Sequence, residues 1–135
     1  MKKHLSLILV SILFALVLSA CGEDSLQSLS LTNNLGSDLY ELYAASSEVS
    51  DWGNDRLEGE TLAEGHTTTL NFDKDTHVGL FDIYAVNTDD YLYSFYDLNI
   101  TNDATIELTY DDDICIAIVT SKMGEETTVI GTVEG

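Results

Sequence analysis

The chain has 135 residues, of which 24 are acidic and only five are Lys or Arg, for a formal charge of −19. If the first 20 residues are removed as an export signal, 115 remain: a sensible length for one domain, small for two, and long enough to bury about two thirds of its unfolded surface. Arg56, Lys74 and Lys122 then face all 24 carboxylates, a formal charge of −21, which excludes casual binding to nucleic-acid phosphates and argues against adhesion to anionic lipid headgroups.

A solvated acidic shell that maintains solubility is the plain reading of that charge. A cationic partner or bound divalent ions are the sharper ones.

The chain opens on Met1, Lys2, Lys3 and His4, then runs apolar from Leu5 to Leu18 with only Ser6 and Ser11 interrupting. A basic head, a short apolar core and small residues before a cut site describe a secretory signal. The run is too short for a permanent span, which needs about 20 apolar residues. Its ending, Leu18, Ser19, Ala20 and Cys21 followed by Gly22, resembles the bacterial lipobox. The resemblance implies cleavage after Ala20 and acylation of the Cys21 thiol, making the mature chain a lipoprotein. One acyl chain holds a protein marginally on a bilayer, and two or more hold it firmly. By resemblance to the sorting rule of double-membrane bacteria, Gly22 in place of Asp asks for no inner-membrane retention. The expected location is extracytoplasmic and lipid-anchored, at the outer membrane if the host has two.

Residues 21–27 form the lipidated cysteine and a short tether, and residues 28–135 the folded domain. From Leu29 onward the dominant period is two. Leu29 and Leu31 alternate with serines up to a turn at Asn33-Asn34-Leu35-Gly36. Leu39 to Ala45 is a second strand, whose parity slips between Leu39 and Leu42, as a bulge would make it. Thr68, Leu70 and Phe72 mark a half-buried strand. Leu80 to Val86 carries Phe81, Ile83 and Ala85 on one face and ends in a hairpin turn at Asn87–Asp90. In the next strand Tyr91, Tyr93 and Phe95 face one way, and Leu92 and Tyr96 the other. Ile106, Leu108 and Tyr110 alternate with Thr105, Glu107 and Thr109, and Ile114 to Thr120 reads as buried on both faces. Ser121–Gly124 closes a last hairpin onto a strand over Thr127–Val133. Short β-rich runs split by Asn, Asp and Gly predict an all-β fold, a small antiparallel β-sandwich of about seven to eight strands. The exception is the stretch from Ser46 to Gly65, a long connection anchored by Val49, Trp52, Leu57 and Leu62. A connection of this length is either functional or a crossover between strands.

Asn33-Asn34-Leu35-Gly36, then Leu39, Leu42, Tyr43 and Ser46, then Asp51-Trp52-Gly53-Asn54-Asp55, and finally Leu57, Leu62, Gly65, Leu70 and Phe72 carry a further likeness. Over about residues 29 to 110 the chain resembles a family of secreted or lipid-anchored bacterial β domains of unassigned function. Its members read Asn-x-Thr-Gly, Leu-Tyr-x-Ser, Asp-Trp-Gly-x-Asp and Leu-x-x-Gly before a strand. Leu35 stands where that pattern has Thr. The resemblance implies a fold and no reaction.

Candidate chemistry is sparse. Trp52, the single tryptophan, lies between Asp51 and Gly53, with Asp55 close by. An aromatic beside carboxylates can stack on a sugar or hold a cation, so Trp52, Asp51 and Asp55 are the candidate binding residues. The alternative is a plug that folds the long loop onto the sandwich. Asp73, Asp75 and His77 alternate as oxygen ligands of a calcium loop would, and calcium takes roughly six to eight oxygens. The stretch has neither the glycine nor the closing Glu of an EF-hand, and reads as a charged hairpin loop. Asp111–Asp113 and Asp89–Asp90 read as solvated turns. His66 and His77 stand near no nucleophile elbow, and Cys115 sits in an apolar run that suppresses the thiolate. With Cys21 taken by lipid, Cys115 has no partner for a disulfide.

These residues predict no catalytic group, no metal site and no cofactor. The function they indicate is a membrane-anchored binding or structural module of the cell envelope, not an enzyme. Its partners are the bilayer, through Cys21, and an envelope protein or glycan. A carbohydrate- or calcium-binding module is the alternative, with a small hydrolase behind it. Tyr40, Tyr43, Tyr91, Tyr93 and Tyr96 give more aromatic surface than the core needs, and suggest a recognition patch.

Overall fold

The computed structural model describes residue 26, residues 28–73 and residues 75–135. The signal, Cys21 and the rest of the tether lie outside them.

Nine strands make an all-β sandwich, with no helix among the described residues. They are β1 (Ser28–Asn33), β2 (Leu39–Ser46), β3 (Thr67–Asn71), β4 (Gly79–Asn87), β5 (Leu92–Ile100), β6 (Thr105–Asp111), β7 (Ile114–Thr120), β8 (Glu126–Ile130) and β9 (Thr132–Glu134). One sheet has the order β3-β1-β6-β7-β8 and the other β2-β4-β5-β9. All pairings are antiparallel except β1 with β6. Inward residues at period two fill the space between the sheets, among them Leu31, Leu42, Ile83, Phe95, Ile106 and Leu108, each 1% exposed or less.

Both open edges of the sandwich are closed by the chain itself. On one side the segment after β2 runs back along that strand, pairs Leu62 with Leu39 and enters β3 in the opposite sheet. Leu57 and Leu62 are buried beneath it, whereas Val49 is 56% exposed and anchors nothing. On the other side the stretch read from sequence as one strand over Thr127–Val133 divides. Its first half, β8, pairs with β7; after Gly131 its second half, β9, pairs with β5 in the other sheet. The Gly131 amide donates to the Cys115 carbonyl at 2.9 Å, and a Cβ on Gly131 would lie 2.4 Å from the Phe95 ring. Only a residue without a side chain lets the backbone cross here.

The parity slip in β2 is a bulge. Leu39 opposes Asn87 and Glu41 opposes Val86, leaving Tyr40 as the extra residue. A second bulge, which sequence periodicity did not reveal, sits in β5. Phe81 opposes Leu98 and Ile83 opposes Phe95, so β5 carries one additional residue. Asp97 there adopts φ +60°, and its amide donates to Asp82 Oδ1 at 3.0 Å. Past the bulge Leu98 and Ile100 point inward.

Tyr91 does not share the inward face of Tyr93 and Phe95: it precedes β5 and is 46% exposed. Ile114, at the start of β7, is likewise exposed, so only Cys115, Ile116 and Ala117 are buried on both faces in succession.

Strand directions divide the loops between two ends. Leu26, fully buried, donates its amide to the Thr76 carbonyl at 2.7 Å. At that end lie the loops after β2, after β3, after β5 and after β7; the turns after β1, β4 and β6 lie at the opposite end. The chain therefore enters the fold beside the loop between β3 and β4.

Candidate functional site

The loop after β2 is organised by its own polar side chains. Asp51 Oδ1 accepts from the Gly53 amide at 3.0 Å, a turn that Gly53 completes at φ +76°. Asp55 Oδ1 accepts from the amides of Leu42 and Leu57, both at 3.0 Å, which fixes the loop to β2. Arg56 then spans the open side of the sandwich. Its Nη1 donates to the Asn71 carbonyl of β3 at 2.8 Å, and its Nη2 to the Ala44 carbonyl of β2 at 3.1 Å. The guanidinium also lies 4.7 Å from the centre of the Phe72 ring. Its Nε is buried without a partner.

Trp52, half-buried, packs its ring 5.6 Å from Tyr84, which in turn lies 5.7 Å from Tyr43 across the β2–β4 pair. The indole thus closes the loop over the outer face of the four-stranded sheet. Of the three candidate binding residues, Trp52 and Asp51 line one cleft, while the Asp55 oxygen is held by backbone amides inside the loop.

That cleft, about 750 Å³, opens at the Leu26 end between the loop after β2 and the loop after β3. Its apolar lining includes Trp52, Phe72, Val78 and Phe81, with exposed Val49 and Leu80 at the rim. Glu48, Asp51 and Asp75 supply carboxylates, and Arg56 and His77 the basic groups. Ser46 Oγ accepts from the Glu48 amide, and Ser47 Oγ donates to Asp82 at 2.7 Å, so both hydroxyls are tied into the loop. The size is that of a small-molecule pocket. The sequence treated Asp51-Trp52 and Asp75-x-His77 as separate features; the pairing of β2 with β4 and of β3 with β1 brings them to one cleft.

Asp73, Asp75 and His77 do not assemble a metal centre: among the described residues no group of three or more His, Cys, Asp or Glu side chains is placed to hold an ion. Asp112 and Asp90 take left-handed turn conformations, at φ +53° and +65°, and Asp90 Oδ1 accepts from the Tyr40 hydroxyl at 2.9 Å. That hydrogen bond, ahead of any burial, raises the Tyr40 pKa. Burial raises the Cys115 thiol as well.

The tyrosines do not form one patch. Tyr93 is 4% exposed, with its hydroxyl 3.4 Å from that of Tyr110. Tyr91 and Tyr96 are exposed, the first just before β5 and the second at its middle, and Tyr43 belongs to the cluster beneath Trp52.

Two buried polar residues stood in the sequence only as turn positions. Asn33, 0% exposed, donates through Nδ2 to the carbonyls of Ser37 and Leu62 and accepts the Leu35 amide on Oδ1. Asn87, 3% exposed, accepts the amides of Asp89 and Tyr91 on Oδ1 and donates through Nδ2 to Ser37 Oγ. The first asparagine of the Asn33–Gly36 motif is therefore a turn clamp.

No helix among the described residues is long and apolar enough to cross a membrane. No protein-family model matches the chain, and neither a curated protein nor a solved structure matches it.

Proposed function

We propose that the mature chain is a lipid-anchored, extracytoplasmic β-sandwich that serves as a binding module of the bacterial envelope, with the cleft between the loops after β2 and β3 as its binding face. The observation that carries this reading is the run from Lys2 to Cys21: a basic head, an apolar core and Leu-Ser-Ala-Cys at its end. Cys21 precedes by five positions the residue at which the chain joins the sandwich, so the anchored protein works close to its bilayer. The resemblance to secreted β domains of unassigned function agrees with this and adds no reaction. A binding role fits the cleft better than catalysis, because its serine hydroxyls and one oxygen of Asp51 are engaged in holding the loop.

Intact-mass analysis of the protein extracted from membranes tests the anchor. The expected mass is that of residues 21–135 plus at least a diacylglyceryl group, and Cys21→Ser should leave an unprocessed, unlipidated chain. A mature protein with an unmodified Cys21 sulfur would end this reading.

A further inference from the structure

We propose that the cleft beside Leu26 receives an alkylammonium headgroup presented by the bilayer to which the protein is anchored. This rests on the anchored reading above and adds a ligand class to it.

The placement comes from the chain. Leu26 bonds to the Thr76 carbonyl, and Thr76 lines the cleft. Five residues back, at about 3.4 Å each, Cys21 can lie no more than about 17 Å away. The mouth of the cleft is thereby kept within reach of the layer in which lipid headgroups sit.

The chemistry comes from the lining. Glu48, Asp51 and Asp75 contribute three carboxylates, all on exposed residues. Among the described residues the one ion pair is Lys122 with Asp103, elsewhere at the same end, so none of the three is ion-paired with a described lysine or arginine. The Arg56 charge is directed at two backbone carbonyls and the Phe72 face, between the sheets. A cation drawn in by the field of the acidic chain would meet the carboxylates at the rim and Trp52 at the wall, and an indole face is the best aromatic partner for an ammonium group. An anionic headgroup meets the same carboxylates as repulsion. The volume of about 750 Å³ accommodates an ethanolamine or choline phosphate with its glycerol.

Trp52, as the only tryptophan, reports directly. The mature, lipidated protein is placed in phosphatidylglycerol nanodiscs, and its emission is followed while phosphocholine, tetramethylammonium or glycerol 3-phosphate is added. The expected result is a saturable change with the first two, none with glycerol 3-phosphate, and at least a tenfold weaker response in Glu48→Gln/Asp75→Asn. Asp112→Asn, at the opposite end, should respond as wild type. In phosphatidylcholine nanodiscs the emission should begin shifted, and added phosphocholine should change it little. No saturable response to either cation, or an equal response to glycerol 3-phosphate, overturns the ammonium site. Identical behaviour in the two kinds of nanodisc overturns the bilayer as the source. Failure to co-fractionate with nanodiscs counts against the anchor alone, since the soluble titration still reads the cleft.

Discussion

Asn33 and Asn87 close on the same residue: Asn33 Nδ2 donates to the Ser37 carbonyl at 2.9 Å, and Asn87 Nδ2 donates to the Ser37 hydroxyl at 2.9 Å. Asn33 ends β1 in one sheet and Asn87 ends β4 in the other. The turn between β1 and β2 is therefore held from both layers by the two buried polar side chains found among the described residues.

Asn33→Ala should be among the most damaging single substitutions. It removes the side-chain partner of the buried Leu35 amide and of the part-buried Ser37 carbonyl, and leaves the Leu62 carbonyl with the Leu39 amide alone, and each unsatisfied group costs about 1–3 kcal/mol. Partial relaxation brings the expected loss to about 2–4 kcal/mol by urea denaturation. Asn33→Asp should recover little, because a carboxylate cannot donate to two carbonyls. Ser37→Ala removes one contact, the Asn87 bond to its hydroxyl, and should cost under about 1.5 kcal/mol.

At Gly131 even one methyl group is too many. The Cβ of Gly131→Ala would meet Phe95 Cε1 at 2.4 Å and Cys115 Sγ at 3.0 Å. Phe95 is 0% exposed and has no room to swing away, so the expected destabilisation is about 1–3 kcal/mol, the usual range for overpacking. Phe95→Leu should partly rescue it. A double-mutant cycle giving additive losses would show that the ring is not the obstacle.

Gly131 also shows why part of the fold was legible in the sequence and part was not. Period-two alternation bounded by Asn, Asp and Gly marks β1, β2, β4 and β6, and parity alone exposes the bulge at Tyr40, because one face of each strand is buried. The break between β8 and β9 leaves no such trace. Gly131 needs no left-handed backbone; its requirement is space next to a phenylalanine 36 positions earlier in the chain. The β5 bulge hid for a similar reason, since Asp97 reads as one more polar residue until its amide is found on Asp82. In the loop after β2, Asp51, Trp52 and Asp55 stood out by residue type. That Asp55 is internal wiring, and that Arg56 beside it bridges the sheets, depends on where β2 and β3 lie in space.

Arg56 holds that side of the sandwich through two carbonyls in different sheets. Arg56→Met keeps the contact with Phe72 and loses both charged hydrogen bonds. The expected cost is about 1–3 kcal/mol, discounted for the partial exposure of the side chain. Arg56→Lys should restore less than half of it, because a single ammonium cannot span both carbonyls as a planar fork does. Faster hydrogen exchange at the Leu42 and Leu57 amides, which Asp55 holds next door, should accompany the loss. Unchanged stability in Arg56→Met would show that the loop holds the edge without it.

Salt should stabilise this protein. A formal charge of −21 on residues 21–135 repels itself, and the one described ion pair, Lys122 with Asp103, is exposed and offers little in return. Raising NaCl from about 10 mM to about 200 mM shortens the Debye length from about 30 Å to below 10 Å, so Tm should rise across that interval and level off beyond it. A falling Tm would mean that attractive pairs outweigh the repulsion.

Alkaline pH should unfold the protein before mild acid does, through groups that the fold keeps protonated. Burial pushes the Cys115 thiol up from its ordinary value, and burial followed by the bond to Tyr93 does the same to the Tyr110 phenol. A raised pKa in the folded state means that folding holds the proton more tightly than the open chain does. The stabilisation is then complete below the unfolded pKa, about 8.5 for a thiol and about 10 for a phenol, and drains away as pH climbs past those values. Tm should be level from about pH 6 to 8 and fall above about pH 9. In Cys115→Ala the fall should begin closer to pH 10, where the phenols remain. The same thiol gives an independent count: in the native protein Cys115 should react slowly with a thiol reagent, and in denaturant the mature chain should yield one equivalent if Cys21 is acylated and two if it is free. A rapid native reaction would mean that the Cys115 run opens far more readily than its burial implies.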